Sequence, residues 1–268
     1  MHFDNATQIT ENQIETLNGL LLKEKLTPKQ SEEMNRLMLK RDAKPQLSKG
    51  AKTYIKDVFF GEKFDYKKTF TNKFVQKGNS MEDPAISQIV KFLGLPMVFK
   101  NEKHFKNDYI KGTPDVPLVP LNFQFDVKNV FYPNGLDHTE KIDHNYLWQG
   151  HGYNWLAGVD FGLVIKILMN PTGEILEKET KTLWVESGKS WSDPISDSFR
   201  AEVREYYDFE KKQPIEDRIN IFKFETTEKE KQEIRNAVTL GREYIAELEE
   251  SWQLKNINEI EFIKSLIR

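Results

Sequence analysis

The sequence contains no cysteine among its 268 residues. Disulfides, thiolate-held iron–sulfur clusters, cysteine-ligated zinc and cysteine nucleophiles are therefore excluded. The first residues, MHFDNATQITENQ, have neither a basic start nor an apolar core, so no secretory signal peptide is expected. No apolar run is long enough to span a bilayer, because the best candidate, GLVIKILM, is interrupted by Lys166. These absences predict a cytoplasmic protein with no membrane partner.

The chain also lacks a large net charge, which is -3 at neutral pH. No global field therefore draws the whole molecule to nucleic acid. A basic region nevertheless runs from Lys40 to Lys77, with 11 Lys and Arg against 4 Asp and Glu. Lysines of this region would either meet phosphates or form an ordinary solvated helical face.

Apolar periodicity divides the chain into three parts that we expect to form one compact domain. Residues 1–46 are predicted to be a helical lead-in, with one helix opening at Thr10 and another at Thr27. Residues 47–190 form the predicted core, and residues 191–268 are predicted to be a helix-rich extension packed on it.

The core region predicts an α/β fold with a central mixed sheet flanked by helices. One helix is capped by Ser48, another starts at Asn79 or Ser80, and a third surrounds DHNYLWQGHGYNWLAG. The segments NFQFDVKNVF, FGLVIKILM and TKTLWVES are predicted strands, and MVFKNEKHFK with DYIKGTPDV is a predicted hairpin.

Charged residues occur where the sequence KGTPDVPLVPLNFQFDVKN otherwise indicates buried strands. Asp126 and Lys128 are two apart, so they share one face of a strand. A hairpin of this length brings Asp115 back beside Asp126. Since charged groups are costly to bury without partners, the segment needs a further explanation.

Two helices supply further polar groups. On the earlier helix Glu82 shares a face with Ile86 and Ile89, which aims its carboxylate at the sheet. On the later helix Gln149 and Tyr153 are four apart and share a face. Three carboxylates, one ammonium and one amide are thereby predicted to converge.

Such a cluster has the chemistry of a divalent-metal site. Carboxylates repel each other unless a cation lies between them, and their hard oxygens select Mg²⁺ or Mn²⁺. One or two such ions beside a lysine form an arrangement that cleaves phosphodiesters. The alternatives are an edge-strand ion pair between Asp126 and Lys128, and a Glu82 favoured only by a helix N-terminus.

The residues resemble the motifs of the PD-(D/E)XK nuclease superfamily. Pro114-Asp115 resembles its first half and Asp126-Val127-Lys128 its second. The spacing from Gly78 to Glu82 is similar to the G-x-x-x-E helix motif of lambda-exonuclease and YqaJ-like phage recombination nucleases, and Gln149…Tyr153 to their downstream motif. The segment LSKGAKTYIKDV also resembles an N-terminal helix of phage-encoded members, so the match covers roughly residues 47–170.

This resemblance implies a restriction-endonuclease-like core and a role for each site residue. Glu82, Asp115 and Asp126 would bind metal together with the Val127 carbonyl, Lys128 would assist the nucleophilic water, and Gln149 would help position it. The activity implied is that of a Mg²⁺-dependent DNA exonuclease of phage recombination or repair. The residues expected to contact DNA are Ser48, Lys49, Lys52, Lys77 and Tyr153.

The expected partners are DNA, with double-stranded ends as the substrate, a single-strand annealing protein and further copies of the chain. The cell would be a bacterial host if the chain is phage-encoded. Two alternatives stay open, an endonuclease of the same superfamily and a non-catalytic DNA-binding partner of an annealing protein.

Overall fold

The computed structural model describes residues 9, 11–43, 45–67, 72–96, 98–253 and 257–267. Thr10, predicted to open the first helix, lies outside them. The chain forms two compact units, one of residues 1–68 with 232–268 and the other of residues 69–231. These bounds differ from the predicted ones, which divide the chain after residues 46 and 190. Over the described ranges, no helix has the length and apolar character needed to cross a membrane.

The secondary structure is mixed, with long helices and short strands. The helices are α1 (Glu11–Leu21), α2 (Pro28–Asp42), α3 (Lys49–Lys63), α4 (Lys73–Phe92), α5 (His144–Ala157), α6 (Gly173–Glu186), α7 (Asp197–Tyr206), α8 (Phe209–Lys212), α9 (Glu228–Gln253) and α10 (Ile257–Ile267). The strands are β1 (Phe105–Lys106), β2 (Lys111–Gly112), β3 (Val116–Leu118), β4 (Phe123–Val130), β5 (Phe161–Leu168) and β6 (Ile219–Glu225).

The first unit is helical and has two small apolar clusters. Leu17, Leu20 and Leu37 bury the contact between α1 and α2. The second cluster joins α3 to α9 through Leu47, Ala51, Ile55, Leu240, Tyr244 and Leu248. Thr27 caps α2 in a reciprocal capping box with Gln30, as the sequence predicts.

The second unit contains a four-stranded sheet in the order β3-β4-β5-β6. Strands β4 and β5 are parallel, whereas β3 and β6 pair antiparallel with their neighbours. Helix α5 connects the parallel pair, as a crossover connection requires. The predicted mixed sheet flanked by helices is confirmed, and β4 lies in its interior.

The two faces of β4 differ in character. Phe125 and Val127 are buried in the main apolar core together with Ile86 and Ile89 of α4. The opposite face is polar, and Gln124 donates a hydrogen bond from Nε2 to Oδ1 of Asn154 on α5 at 3.0 Å. The alternation of side chains along β4 thus gives the strand one apolar face in the core and one polar face.

Three predicted elements differ from the structure. Helix α4 begins at Lys73 rather than at residue 79 or 80, because Asn72 Oδ1 already accepts from the Val75 amide at 2.9 Å. The predicted hairpin before Asp115 contains only the two-residue strands β1 and β2. The segment TKTLWVES belongs to helix α6, since Leu176 and Leu183 pack on one side at helical spacing despite the β-branched residues.

The ring of Phe224 on β6 fills the space between α5 and β5. A Cβ atom added to Gly150 or to Gly162 would clash with Phe224 Cζ. A Cβ atom on Gly152, in the same helix, would lie at an ordinary 3.5 Å from Ile110 Cδ1. The close approach of the two elements therefore requires glycine at residue 150 but not at residue 152.

We predict opposite effects for two alanine substitutions in α5. Gly150→Ala should lower the free energy of unfolding by about 1–3 kcal/mol through overpacking. Gly152→Ala should raise it by about 0.5–1 kcal/mol, because alanine favours a helix interior over glycine. Urea unfolding followed by circular dichroism measures both, and equal effects of the two variants would contradict the packing described.

Candidate active site

The pairing of β3 with β4 places two aspartates side by side. Val116 is paired with Phe125 in the antiparallel register, so the next residues along the two chains, Asp115 and Asp126, lie opposite each other. Asp115 Oδ2 accepts a hydrogen bond from the Val127 amide at 2.9 Å. The two side chains are buried, with Asp115 8% and Asp126 2% exposed. The juxtaposition expected from the hairpin is therefore present.

Lys128 lies on the same face of β4 as Asp126. Its Nζ forms an ion pair with Asp126 Oδ2 at 2.5 Å. The ammonium also lies 5.0 Å from the centre of the Tyr146 ring. Because β4 is an interior strand, the alternative of an edge-strand ion pair is wrong.

Glu82 lies in the middle of α4 rather than in its first turn, so helix-terminus stabilisation does not explain it. Its Oε2 is 2.5 Å from the Nζ of Lys100. The Glu82 charge acts on both aspartates, since it contributes to the raised pKa of Asp115 and of Asp126. The three predicted carboxylates therefore belong to one electrostatic site.

Helix α5 brings its polar residues to this site. Gln149 donates from Nε2 to the Tyr153 hydroxyl at 2.9 Å. Burial raises the pKa of Tyr153, and the charges of Asp126 and Asp115 act in the same direction. Tyr153, predicted to contact DNA, is half-buried, and its ring packs against Gly112.

The protonation of the site follows from its burial. Loss of water contact raises the pKa of Asp115 to about 8, with the neighbouring Asp126 as the next cause. Burial also raises the pKa of Asp126. Burial opposes the charged form of Lys128, but the Asp126 carboxylate outweighs it and raises the pKa of that lysine. The charge of one lysine therefore serves two carboxylates, and Asp115 keeps its proton up to about pH 8.

The donor set fits a hard divalent cation. It offers the carboxylates of Asp115 and Asp126, both buried, and Mg²⁺ and Mn²⁺ prefer carboxylate oxygens as ligands. In the described part of the chain, no three His, Asp or Glu side chains are grouped closely enough to hold one ion. Glu82, whose Oε2 meets Lys100, would have to turn towards the aspartates to complete the set.

Two site residues were missed in the sequence. Tyr146, near Lys128, lies three residues before Gln149 in α5, so helical spacing could have identified it. Lys100 lies outside regular secondary structure and 18 residues after Glu82, so no periodicity indicates the pair.

Three of the predicted DNA-binding residues lie in the first unit. Ser48 is the N-cap of α3, and its hydroxyl accepts from the Ala51 amide at 3.1 Å. Lys49 is exposed at the start of that helix. Lys52 is half-buried, with its Nζ 5.6 Å from the centre of the Tyr244 ring. The carboxylates, in contrast, belong to the second unit.

No family model and no curated protein matches the sequence. The crystal structure of a phage-related exonuclease from Haemophilus somnus 129PT is similar, with a TM-score of 0.59, 17% sequence identity, 88% of this chain covered and 94% of that chain. LHK-Exo in complex with dAMP has a TM-score of 0.48 and 10% identity, with 96% of this chain and 95% of that chain covered. The alkaline exonuclease LHK-Exo from Laribacter hongkongensis has a TM-score of 0.47 and 11% identity, with 98% and 94% covered.

The first of these similarities shows the fold. The chain has the α/β fold of the phage-related exonuclease, and the similarity extends over most of both chains. The predicted restriction-endonuclease-like architecture is confirmed. The resemblance to lambda-exonuclease and YqaJ-like nucleases is confirmed at the level of the fold.

Lys77, predicted to contact DNA, is a buried residue. Its side chain is 1% exposed, and its Nζ donates to the Val130 carbonyl at 3.0 Å. The aromatic rings of Phe131 and Phe209 lie 5.0 and 5.9 Å from the ammonium. The structure does not support the prediction that Lys77 meets a phosphate, because its apolar stem and its ammonium group are both buried within the second unit.

We predict that Lys77 makes the stability depend on pH. Burial lowers its pKa from 10.5 to about 8, so the unfolded chain binds the proton more tightly. The resulting cost is full below pH 8 and disappears as the pH rises towards 10.5. The free energy of unfolding should therefore rise by about 2 kcal/mol from pH 7 to 9.5 relative to Lys77→Met. Urea unfolding at both pH values tests this, and parallel profiles of the two proteins would refute it.

Proposed function

We propose that this chain is a metal-dependent deoxyribonuclease that hydrolyses DNA phosphodiester bonds as an exonuclease. The observation that carries the proposal is the buried cluster of Asp115, Asp126 and Lys128, in which one lysine faces two carboxylates. Its support is the chemistry of the residues, together with a fold similar to that of a phage-related exonuclease.

A purely structural role does not account for the cluster. Burying a charge costs several kcal/mol even after relaxation, and a pair recovers this only with good geometry and further hydrogen bonds. Here Asp115 and Asp126 face each other with a single lysine paired to the latter. An apolar residue would suit the interior strand better at Asp126, and Asp115 is buried beside it, so the acids indicate a functional site.

The proposed roles follow the positions of the side chains. Glu82, Asp115 and Asp126, with the Val127 carbonyl, would hold one or two Mg²⁺ ions, for which Mn²⁺ would substitute. Such an ion polarises the phosphate and lowers the pKa of a bound water.

Lys128 orients the attacking water and offsets the charge that develops on the phosphate. Gln149, held by Tyr153, positions that water. The water oxygen forms a bond to phosphorus and the bond to the leaving sugar oxygen breaks, which gives one phosphate and one hydroxyl end.

The proposed substrate is the end of double-stranded DNA, processed in phage recombination or repair. A single-strand annealing protein and further copies of the chain are the proposed partners, and the cytoplasm of a bacterial host is the proposed location. The likeness to a phage-related exonuclease supports this setting.

We predict that Asp115→Ala, Asp126→Asn and Lys128→Ala each lose Mg²⁺-dependent cleavage by at least about 100-fold, because each removes a group that meets the reacting atoms. The measurement is a timed digest of end-labelled linear duplex DNA with and without Mg²⁺. Circular dichroism of each variant confirms that it is folded.

Asp83→Ala is the matched control. Asp83 is adjacent to Glu82 in α4 but exposed, so its removal should leave cleavage within about twofold. Full activity of Asp115→Ala or Lys128→Ala would contradict the proposal. Cleavage of closed circular DNA as fast as linear DNA would indicate an endonuclease, and DNA binding without cleavage a non-catalytic module.

A further inference from the structure

We propose that Lys100 is a second active-site lysine, which binds a DNA phosphate beside the metal ligands. This inference rests on the proposed nuclease function and assigns a DNA contact to a residue that no sequence motif identifies.

The backbone next to Lys100 is attached directly to the aspartate hairpin. The Asn101 amide donates to the Asp115 carbonyl at 2.8 Å, and Asn101 Nδ2 donates to the Pro114 carbonyl at 2.9 Å. Asn101 Oδ1 in turn accepts from the Lys103 amide at 3.0 Å. Lys100 is thus held at the site by its neighbour, although it lies outside any strand or helix.

The ammonium of Lys100 is close to the carboxylates and also accessible. Its Nζ is 2.5 Å from Glu82 Oε2, and its side chain is 35% exposed. The Lys128 side chain is 22% exposed, and Lys77 is enclosed at 1%. Lys100 is therefore the lysine of this site that a phosphate from solvent reaches most readily.

The pairing with Glu82 conflicts with the role of Glu82 as a metal ligand. A metal ion bound by Glu82 would share its single negative charge with Lys100, because one carboxylate would then serve two cations. When Glu82 is used as a ligand, its ion pair with Lys100 weakens, and Lys100 keeps its charge next to the site. A DNA phosphate supplies the missing negative charge, so Lys100 would exchange a carboxylate for a phosphate.

A surface ion pair with Glu82 is the competing explanation. Such exposed pairs contribute little to stability and need no attachment to the active site. The two explanations differ in what happens without Lys100. A phosphate-binding lysine predicts weaker DNA binding with no loss of metal affinity, whereas a simple ion pair predicts no change in DNA binding.

The test compares Lys100→Met and Lys100→Arg with Lys103→Met, an exposed lysine of the same segment. Calorimetric titration with Ca²⁺ alone measures the affinity for the cation. Fluorescence anisotropy of labelled duplex DNA in Ca²⁺, at several salt concentrations, measures DNA binding without cleavage. We expect Lys100→Met to bind Ca²⁺ as tightly as the unchanged protein or several-fold more tightly, because a competing cation has been removed.

DNA affinity of Lys100→Met should fall about tenfold, and the slope of log affinity against log salt should decrease by about 0.9, the value for one lost phosphate contact. Lys100→Arg should keep most of the affinity. DNA affinity and salt slope equal to those of Lys103→Met would overturn the inference, and so would a loss of Ca²⁺ binding in Lys100→Met. Failure of the unchanged protein to cleave DNA in Mg²⁺ would instead reject the nuclease function itself.

Discussion

The register of β4 between β3 and β5 is the constraint on which the rest of the site depends. Hydrogen bonding on both sides fixes which residues of β4 face the apolar core and which face α5. Phe125 and Val127 are buried against α4, and this packing forces Asp126 and Lys128 to the other face. A slip of one residue would bury the charges in the core and expose the apolar residues. The packing of the apolar face of β4 therefore positions the Asp126 and Lys128 side chains on its polar face.

The same register creates an electrostatic problem that the protein alone does not solve. Asp115 and Asp126 are buried side by side, and Lys128 neutralises one of them. Burial and mutual repulsion raise the pKa of Asp115 to about 8. A site that is stable only with a proton or a cation between its acids is suited to bind Mg²⁺ or Mn²⁺. The cost in stability and the capacity to bind metal have the same physical origin.

The sequence predicted the parts of the site that local periodicity controls. Alternation identified β4, and the hairpin length placed Asp115 beside Asp126. The sequence did not predict the features that depend on tertiary contacts. Helix α6 contains β-branched residues that favour a strand, but its packing requires a helix. The sequence indicated that Lys77 is an exposed cation of the basic region. Its burial depends on Phe131 and Phe209, which lie close in space but far along the chain. Lys100 reaches Glu82 from an irregular segment, for which no spacing rule exists.

The central claim is that the buried aspartates hold a divalent cation. Titration with Mn²⁺, followed by the electron paramagnetic resonance signal of the free ion, tests it most directly and does not depend on DNA or on turnover. The account predicts that the unchanged protein and Asp83→Ala take up Mn²⁺ alike, and that Asp126→Asn, shown to be folded by circular dichroism, takes up at least about tenfold less. Equal uptake by Asp126→Asn and Asp83→Ala would contradict it.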